Sequence, residues 1–135
     1  MTVLVGRRES FSAAHQLCDP GLSDEENQRL FGKCATLHGH NYTLEVVVAG
    51  EIDPASGYVL DLKSLSDVIA RQVIRDVDHS NLNTDVPWLK GLVPTTENLA
   101  HAIWERLRPE LPDGLLRLVR VWETDKNWAE VGDQA

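Results

Sequence analysis

The chain has 135 residues, 42% of them hydrophobic, and carries a formal net charge of −8. That length suits one domain with a real core, and the acidic balance argues against general nucleic-acid binding, which needs basic surface to displace phosphate counterions. The longest apolar run is far below the roughly 18 residues of a membrane span, and no basic start with an apolar stretch and small-residue cleavage site marks a signal peptide. No repeat, low-complexity tract or linker divides the sequence, so residues 1–135 read as a single domain.

Residues 3 to 17 (VLVGRRESFSAAHQL) alternate enough to predict a long strand, bulged around Gly6. Residues 19 to 33, with Pro20, Gly21 and the acidic run DEEN, predict a loop with a short helix. Residues 41 to 52 alternate and are rich in valine, the pattern of a strand. Val59 and Leu60 form a short return after the turn DPASG, and Asp61 is placed to cap a helix whose apolar stripe is Leu62, Leu65, Ile69, Val73 and Val77. A second helix opens at Pro94-Thr95-Thr96-Glu97, capped by a threonine, with Leu99, Ile103 and Leu107 as its stripe and Trp104 beside them. Residues 115 to 124 alternate as a strand, and 127 to 131 add a last short one. The order is β-β-α-α-β-β, an α+β antiparallel sheet with its helices on one face.

The chemistry concentrates in FGKCATLHGHNY, residues 31 to 42, which holds Cys34, His38 and His40 as C-x3-H-x-H. In a strand, residues i and i+2 share a face, so His38 and His40 project together if the strand begins a little before Asn41. His15 lies near the end of the first strand, which a hairpin would bring beside the second. Three neutral imidazoles leave a fourth tetrahedral position open, the pattern of a catalytic zinc; the bland alternative is three histidines satisfied by hydrogen bonds. Cys34 is either a fourth ligand, which would close the site, or a thiolate able to take a proton beside a cation. Cys18 has no partner group in the sequence, and both cysteines are expected as thiols in the cytoplasm. Asp78-His79 after the first helix is either an acid-base relay or a helix-end pair. Glu123, on the same face as Val119 and Val121, is an edge residue or a buried acceptor for N–H groups. His101 has no matching cluster and reads as structural or exposed.

Taken together, the segments FSAAHQL, LSDEENQRLFGKC, LHGHNY, DHSNLN, PTTENLA and VWET, in this order along nearly the whole chain, resemble the 6-pyruvoyl-tetrahydropterin synthase family. The resemblance implies the tunnelling fold, with three subunits joining sheets into a barrel and two rings stacking as a homo-hexamer, a dimer of trimers. It implies Zn2+ on His15, His38 and His40, Cys34 as general base, Asp78 and His79 as relay, and Glu123 as the anchor of the pterin's amino-pyrimidine edge. Thr95 and Thr96 would help hold the ring, and the site would lie between subunits. The implied substrate is 7,8-dihydroneopterin triphosphate.

The family has two branches. One keeps the three-carbon side chain as 6-pyruvoyl-tetrahydropterin; the other cleaves it, giving 6-carboxytetrahydropterin and acetaldehyde on the route to queuosine and other deazapurines. The short C-x3-H-G-H spacing resembles the carboxy-forming enzymes, whereas LSDEENQRLFGKC and PTTEN resemble the pyruvoyl type. On spacing, the expectation is the carboxy branch. The ending NWAEVGDQA departs from the aromatic-rich last strand frequent in the family. Two rivals are a cupin-like metal protein, against which the two helical stripes speak, and a non-catalytic pterin binder, against which Cys34, Asp78 and His79 weigh.

Overall fold

The computed structural model describes residues 1–133. Two alternating segments of 13 residues each set the frame: β1 (Val3–His15) and β2 (His38–Gly50) pair antiparallel without a register shift, from Val3 opposite Gly50 to His15 opposite His38. With β3 (Ser80–Asn81), β4 (Leu116–Trp122) and β5 (Trp128–Gly132) they make one sheet in the order β3-β1-β2-β4-β5. The two-residue β3 runs parallel to β1, opposite Ala13 and Ala14, so the sheet is mixed rather than purely antiparallel. No hydrophobic pattern signals so short a strand; backbone hydrogen bonds to an exposed edge create it. The bulge expected at Gly6 lies elsewhere, where Val47 and Val48 of β2 face Leu118 and Leu116 of β4 and leave Arg117 extra. A Cβ at Gly6 would meet the Val46 carbonyl at 3.4 Å, an ordinary contact in an unbroken ladder. Val59 and Leu60 form a bend instead of a strand.

Three helices accompany the sheet. Helix α1 (Asp24–Phe31) fills the loop between β1 and β2; Ser23 and Glu26 form a reciprocal capping box at its start. Gly32, at φ 60°, ends it and leads into a 3-10 turn, Gly32–Ala35, that carries Cys34. Helix α2 comprises Leu62–Ile69, a wide π turn at Ala70–Ile74 and a last α turn at Arg75–Val77. Asp61 caps it by accepting from the Lys63 amide. Helix α3 (Thr96–Leu107) is capped by Thr95, which accepts from the Asn98 amide.

The π turn has a cause in the sequence. Leu65, Ile69, Val73 and Val77 are spaced by four, and at about 100° per residue each such step overshoots a full turn by about 40°. Three steps of unbroken α-helix would swing Val77 off the face by about 120°, yet all four side chains have no solvent exposure. A stretch of i→i+5 bonding winds more slowly and returns the stripe to the core. Leu62, at 42% exposure, lies outside the buried stripe.

The core is a single cluster between one sheet face (Phe11, Leu44, Val46, Val119 and Val121 among others) and the stripes of α2 and α3. The opposite sheet face is mixed, with Leu4, Val47 and Leu118 at one end and a charged network in its middle. There Glu45 of β2 binds Arg8 of β1 at 2.9 Å and Arg120 of β4 at 3.4 Å, accepts from the Trp122 indole, and Arg120 reaches on to Glu130 of β5 at 2.9 Å. Among the described residues no helix is long and apolar enough to cross a membrane.

Candidate metal centre and active site

The alternation that buries Phe11 and Ala13 also turns His15 inward, and the alternation that buries Tyr42 and Leu44 turns His38 and His40 to the same side. Because His15 faces His38 across the β1–β2 ladder, three imidazoles meet at one end of the core face, with ligand atoms within 4.8 Å of one another. His15 Nδ1 lies 2.8 Å from the Pro94 carbonyl and His38 Nδ1 lies 2.7 Å from the Thr36 carbonyl. A carbonyl can only accept, so each Nδ1 carries the proton and each Nε2 offers a lone pair. The two Nε2 atoms come within 3.1 Å of each other. His40 Nε2 is buried with no hydrogen-bond partner among the described residues. An unpaired buried nitrogen is costly, and a cation bound by the three lone pairs removes the cost. Burial holds the His15 pKa below the usual imidazole value, with His38 and His40 pushing the same way against the Pro94 carbonyl and Glu123. Neutral rings are what a metal needs. The residues present therefore fit a divalent metal with an open position.

Glu123 follows β4 and places Oε1 3.8 Å from His40 Nε2 and Oε2 3.9 Å from His15 Nε2. The Thr96 hydroxyl donates to its Oε2 at 2.9 Å. Glu123, Thr95 and Thr96 line an open cavity of about 460 Å3 together with Leu17, Glu97 and Trp128. Tyr42 Oη stands 3.3 Å from His15 Nδ1, and burial pushes its phenol pKa well up, so it stays protonated.

Cys34 is exposed on its 3-10 turn, where its carbonyl accepts from the Leu17 amide at 2.7 Å, and it is not part of the three-imidazole set. Asp78 and His79 sit at the edge of β1. Asp78 Oδ1 accepts from the Ser12 amide at 3.0 Å and lies 3.1 Å from His79 Nδ1. The Ser12 amide, opposed in part by desolvation and reinforced by His79, holds the Asp78 carboxyl below the usual carboxylate range. His79 takes φ 61°, a left-handed backbone that costs about 1–2 kcal/mol, and its amide donates to the Ser12 carbonyl at 2.6 Å. Its ring opens onto a cavity of about 430 Å3 lined by Ser12, Gly39, His40 and Asn41. Among the described residues no hydrogen bond joins the Cys34 side chain to the Asp78–His79 pair within one protomer. His101 is exposed on α3, 3.9 Å from Glu105. The Pro94 and Thr36 carbonyls that orient the rings carry no side-chain signal. Tyr42, two residues beyond His40 in the same alternation, does carry one, and the sequence reading passed over it.

The family model for 6-pyruvoyl tetrahydropterin synthase matches residues 4–134. A human 6-pyruvoyl tetrahydrobiopterin synthase is 50% identical over 125 residues, 91% of this chain and 86% of that protein. The Dictyostelium discoideum protein of the same name is 44% identical over 127 residues, 94% and 93% of the two chains. The solved 6-pyruvoyl tetrahydropterin synthase of Caenorhabditis elegans superposes with a TM-score of 0.92 at 41% identity, covering 99% of this chain and 97% of that one. The mixed sheet with its helices is the tunnelling-fold unit, and the family is one of lyase-type enzymes. The chain belongs to the 6-pyruvoyl tetrahydropterin synthase family.

These likenesses overturn the carboxy-forming expectation, and queuosine biosynthesis with it, because the highly identical relatives carry the pyruvoyl name. The Cys34-to-His38 gap is an exposed turn outside the ladder, where length changes are tolerated at small cost. The number of residues in it therefore says little about the chemistry beside it. The cupin-like alternative also falls, since the core needs α2 and α3.

Proposed function

We propose that the chain is a 6-pyruvoyl-tetrahydropterin synthase, releasing triphosphate from 7,8-dihydroneopterin triphosphate while the three-carbon side chain stays attached. The observation that carries the reading is the convergence of three imidazoles, one with an orphan nitrogen, beside a carboxylate that lines a cavity wide enough for a pterin. Zn2+ on the Nε2 atoms of His15, His38 and His40 would supply Lewis-acid polarisation of the substrate's side-chain hydroxyls. Glu123 accepts N–H groups of the amino-pyrimidine edge; Thr96 occupies Oε2 and leaves Oε1 free. Thr95 borders the same pocket while its oxygen caps α3. Cys34, exposed on its turn, takes a proton from a side-chain carbon when ionised to the thiolate. Asp78 fixes Nδ1 of His79, so that Nε2 returns and removes protons as the double bond migrates.

The proposal includes a homo-oligomer, two stacked trimeric rings forming a hexamer, acting in the cytoplasm. Among the described residues, 3 to 11 of β1 have no strand paired on their outer side, because β3 covers only Ala13 and Ala14 and Ser12 is bonded by Asp78 and His79, and β5 is the other open edge. Such edges call for partners, and a neighbouring copy would bring Cys34 and His79 to one substrate. Two unpaired thiols suit a reducing compartment. The test is product analysis after incubation of the zinc-loaded protein with 7,8-dihydroneopterin triphosphate. Triphosphate with 6-pyruvoyl-tetrahydropterin supports the reading; acetaldehyde released in step with triphosphate, or no turnover, refutes it.

A further inference from the structure

Between the end of α2 and the start of α3 the chain carries Asp78 and His79 on a segment stitched to β1. The Leu82 amide donates to the Ala14 carbonyl at 2.8 Å, and Asn83 exchanges hydrogen bonds with the Gln16 backbone, both at 2.9 Å. A second set of contacts, remote from the pocket, holds the two ends of that segment. At its entry Asp76 Oδ2 accepts from the Trp88 indole, which lies at its exit, at 2.9 Å. Arg106 of α3 reaches both: Nη2 lies 3.7 Å from Asp76 Oδ2, and the guanidinium carbon sits 5.3 Å from the Trp88 ring centre. Its Nε donates to the Gln72 carbonyl at 3.2 Å, in the middle of the π turn.

The last contact matters because of what the π turn sets. Passing from i→i+4 to i→i+5 bonding skips a carbonyl, which then needs a donor from outside the helix ladder. Arg106 supplies a side-chain donor inside this turn. Were the turn to revert to α geometry, everything after it would rotate by about 100°. Asp78, one residue past the helix, would leave the Ser12 amide. His79, whose φ of 61° is supported by contacts to Ser12 and Asp78, would lose that support.

We propose that Arg106, acting with Asp76 and Trp88, is a positioning residue that maintains the wide-turn register of α2 and so aims the Asp78–His79 pair. This rests on the reading of His79 as a proton-transfer group in the proposed synthase. Arg106 touches no part of either cavity, so it acts through His79 and not on substrate.

The test is a double-mutant cycle on the zinc-loaded protein, using Arg106→Met, which keeps the aliphatic stem packed, and His79→Ala. Arg106→Met should lower kcat about 10-fold or more, since misplacing a reacting group by about 1 Å costs that or greater, with KM within about twofold. In the His79→Ala background it should change kcat by less than about twofold. An equal loss in both backgrounds, or no loss with His79 present, overturns the proposal. Trp88→Phe, which removes only the indole donor, should shift kcat the same way by a smaller factor, and it serves if Arg106→Met folds poorly. NMR of the imidazoles provides a readout that needs no turnover. The His79 resonances should move in both variants while those of exposed His101 stay; an unmoved His79 overturns the proposal. Absence of turnover in the unsubstituted protein counts against the proposed function, and the NMR result then decides the positioning role alone.

Discussion

Glu123→Gln tests the proposed pterin anchor with almost no change of shape. In the parent protein Thr96 donates to Oε2 at 2.9 Å, and a glutamine oxygen keeps that bond. What changes is the other atom: Oε1, 3.8 Å from His40 Nε2, becomes an NH2 donor. The carboxylate is 22% exposed, so solvent screens it only in part. A hydrogen bond to a charged group contributes about 1.5–3 kcal/mol, against about 0.5–1.5 for a neutral one. Oε1 is the acceptor left for the ring, so the loss is about 1–2 kcal/mol. At 1.4 kcal/mol per decade this is roughly a 5- to 30-fold fall in kcat/KM. The assay is steady-state triphosphate release by zinc-loaded protein, with metal content measured in parallel and expected to stay at one zinc per chain. A kcat/KM within about threefold of the parent would refute the anchoring role. Loss of zinc with the activity would show that Glu123 acts on the metal site instead.

Cys34→Ala should abolish triphosphate release while leaving one zinc per chain by metal analysis; loss of the metal would make Cys34 a ligand and the site a closed one. Glu45 should give the fold an acid-sensitive term. Burial alone would push its carboxyl up, but hydrogen bonds from Trp122, Arg8 and Arg120 and the Arg8 charge outweigh that and leave it below its ordinary value of 4.5. The folded state thus binds this proton less readily than the unfolded state. The stabilisation is fully present above about pH 4.5 and is lost as pH falls through the lower folded value. Denaturant titrations from about pH 6 to about pH 3 should show the parent losing stability more steeply than Glu45→Gln, and parallel curves would refute the network's role. Ile103→Ala, at a position of α3 with no solvent exposure, should lower unfolding free energy by about 2–5 kcal/mol; a loss under about 1 kcal/mol would mean that the core collapses around the gap.

Much of the framework follows from periodicity alone. Alternation around Phe11 and Tyr42 predicts two long strands, the caps Asp61 and Thr95 mark the starts of α2 and α3, and H-x-H on one strand with His15 on the next predicts the three-imidazole group. These are legible because each depends on residues a few positions apart, and strand pairing carries the pattern across unchanged. The stripe Leu62, Leu65, Ile69, Val73 and Val77 predicts a helix, but the π turn that keeps its last four members buried emerges only in the structure. Other features depend on groups distant in the chain. The Pro94 and Thr36 carbonyls decide which nitrogen of His15 and His38 is free; the edge of β1 creates β3 and holds His79 at φ 61°. Arg106 meets Gln72 and Asp76 only because α2 and α3 pack side by side. Backbone carbonyls are the same in every residue, and an exposed loop keeps no fixed length. Ring orientation, the His79 backbone and the meaning of the Cys34 gap were therefore decided only by the tertiary structure.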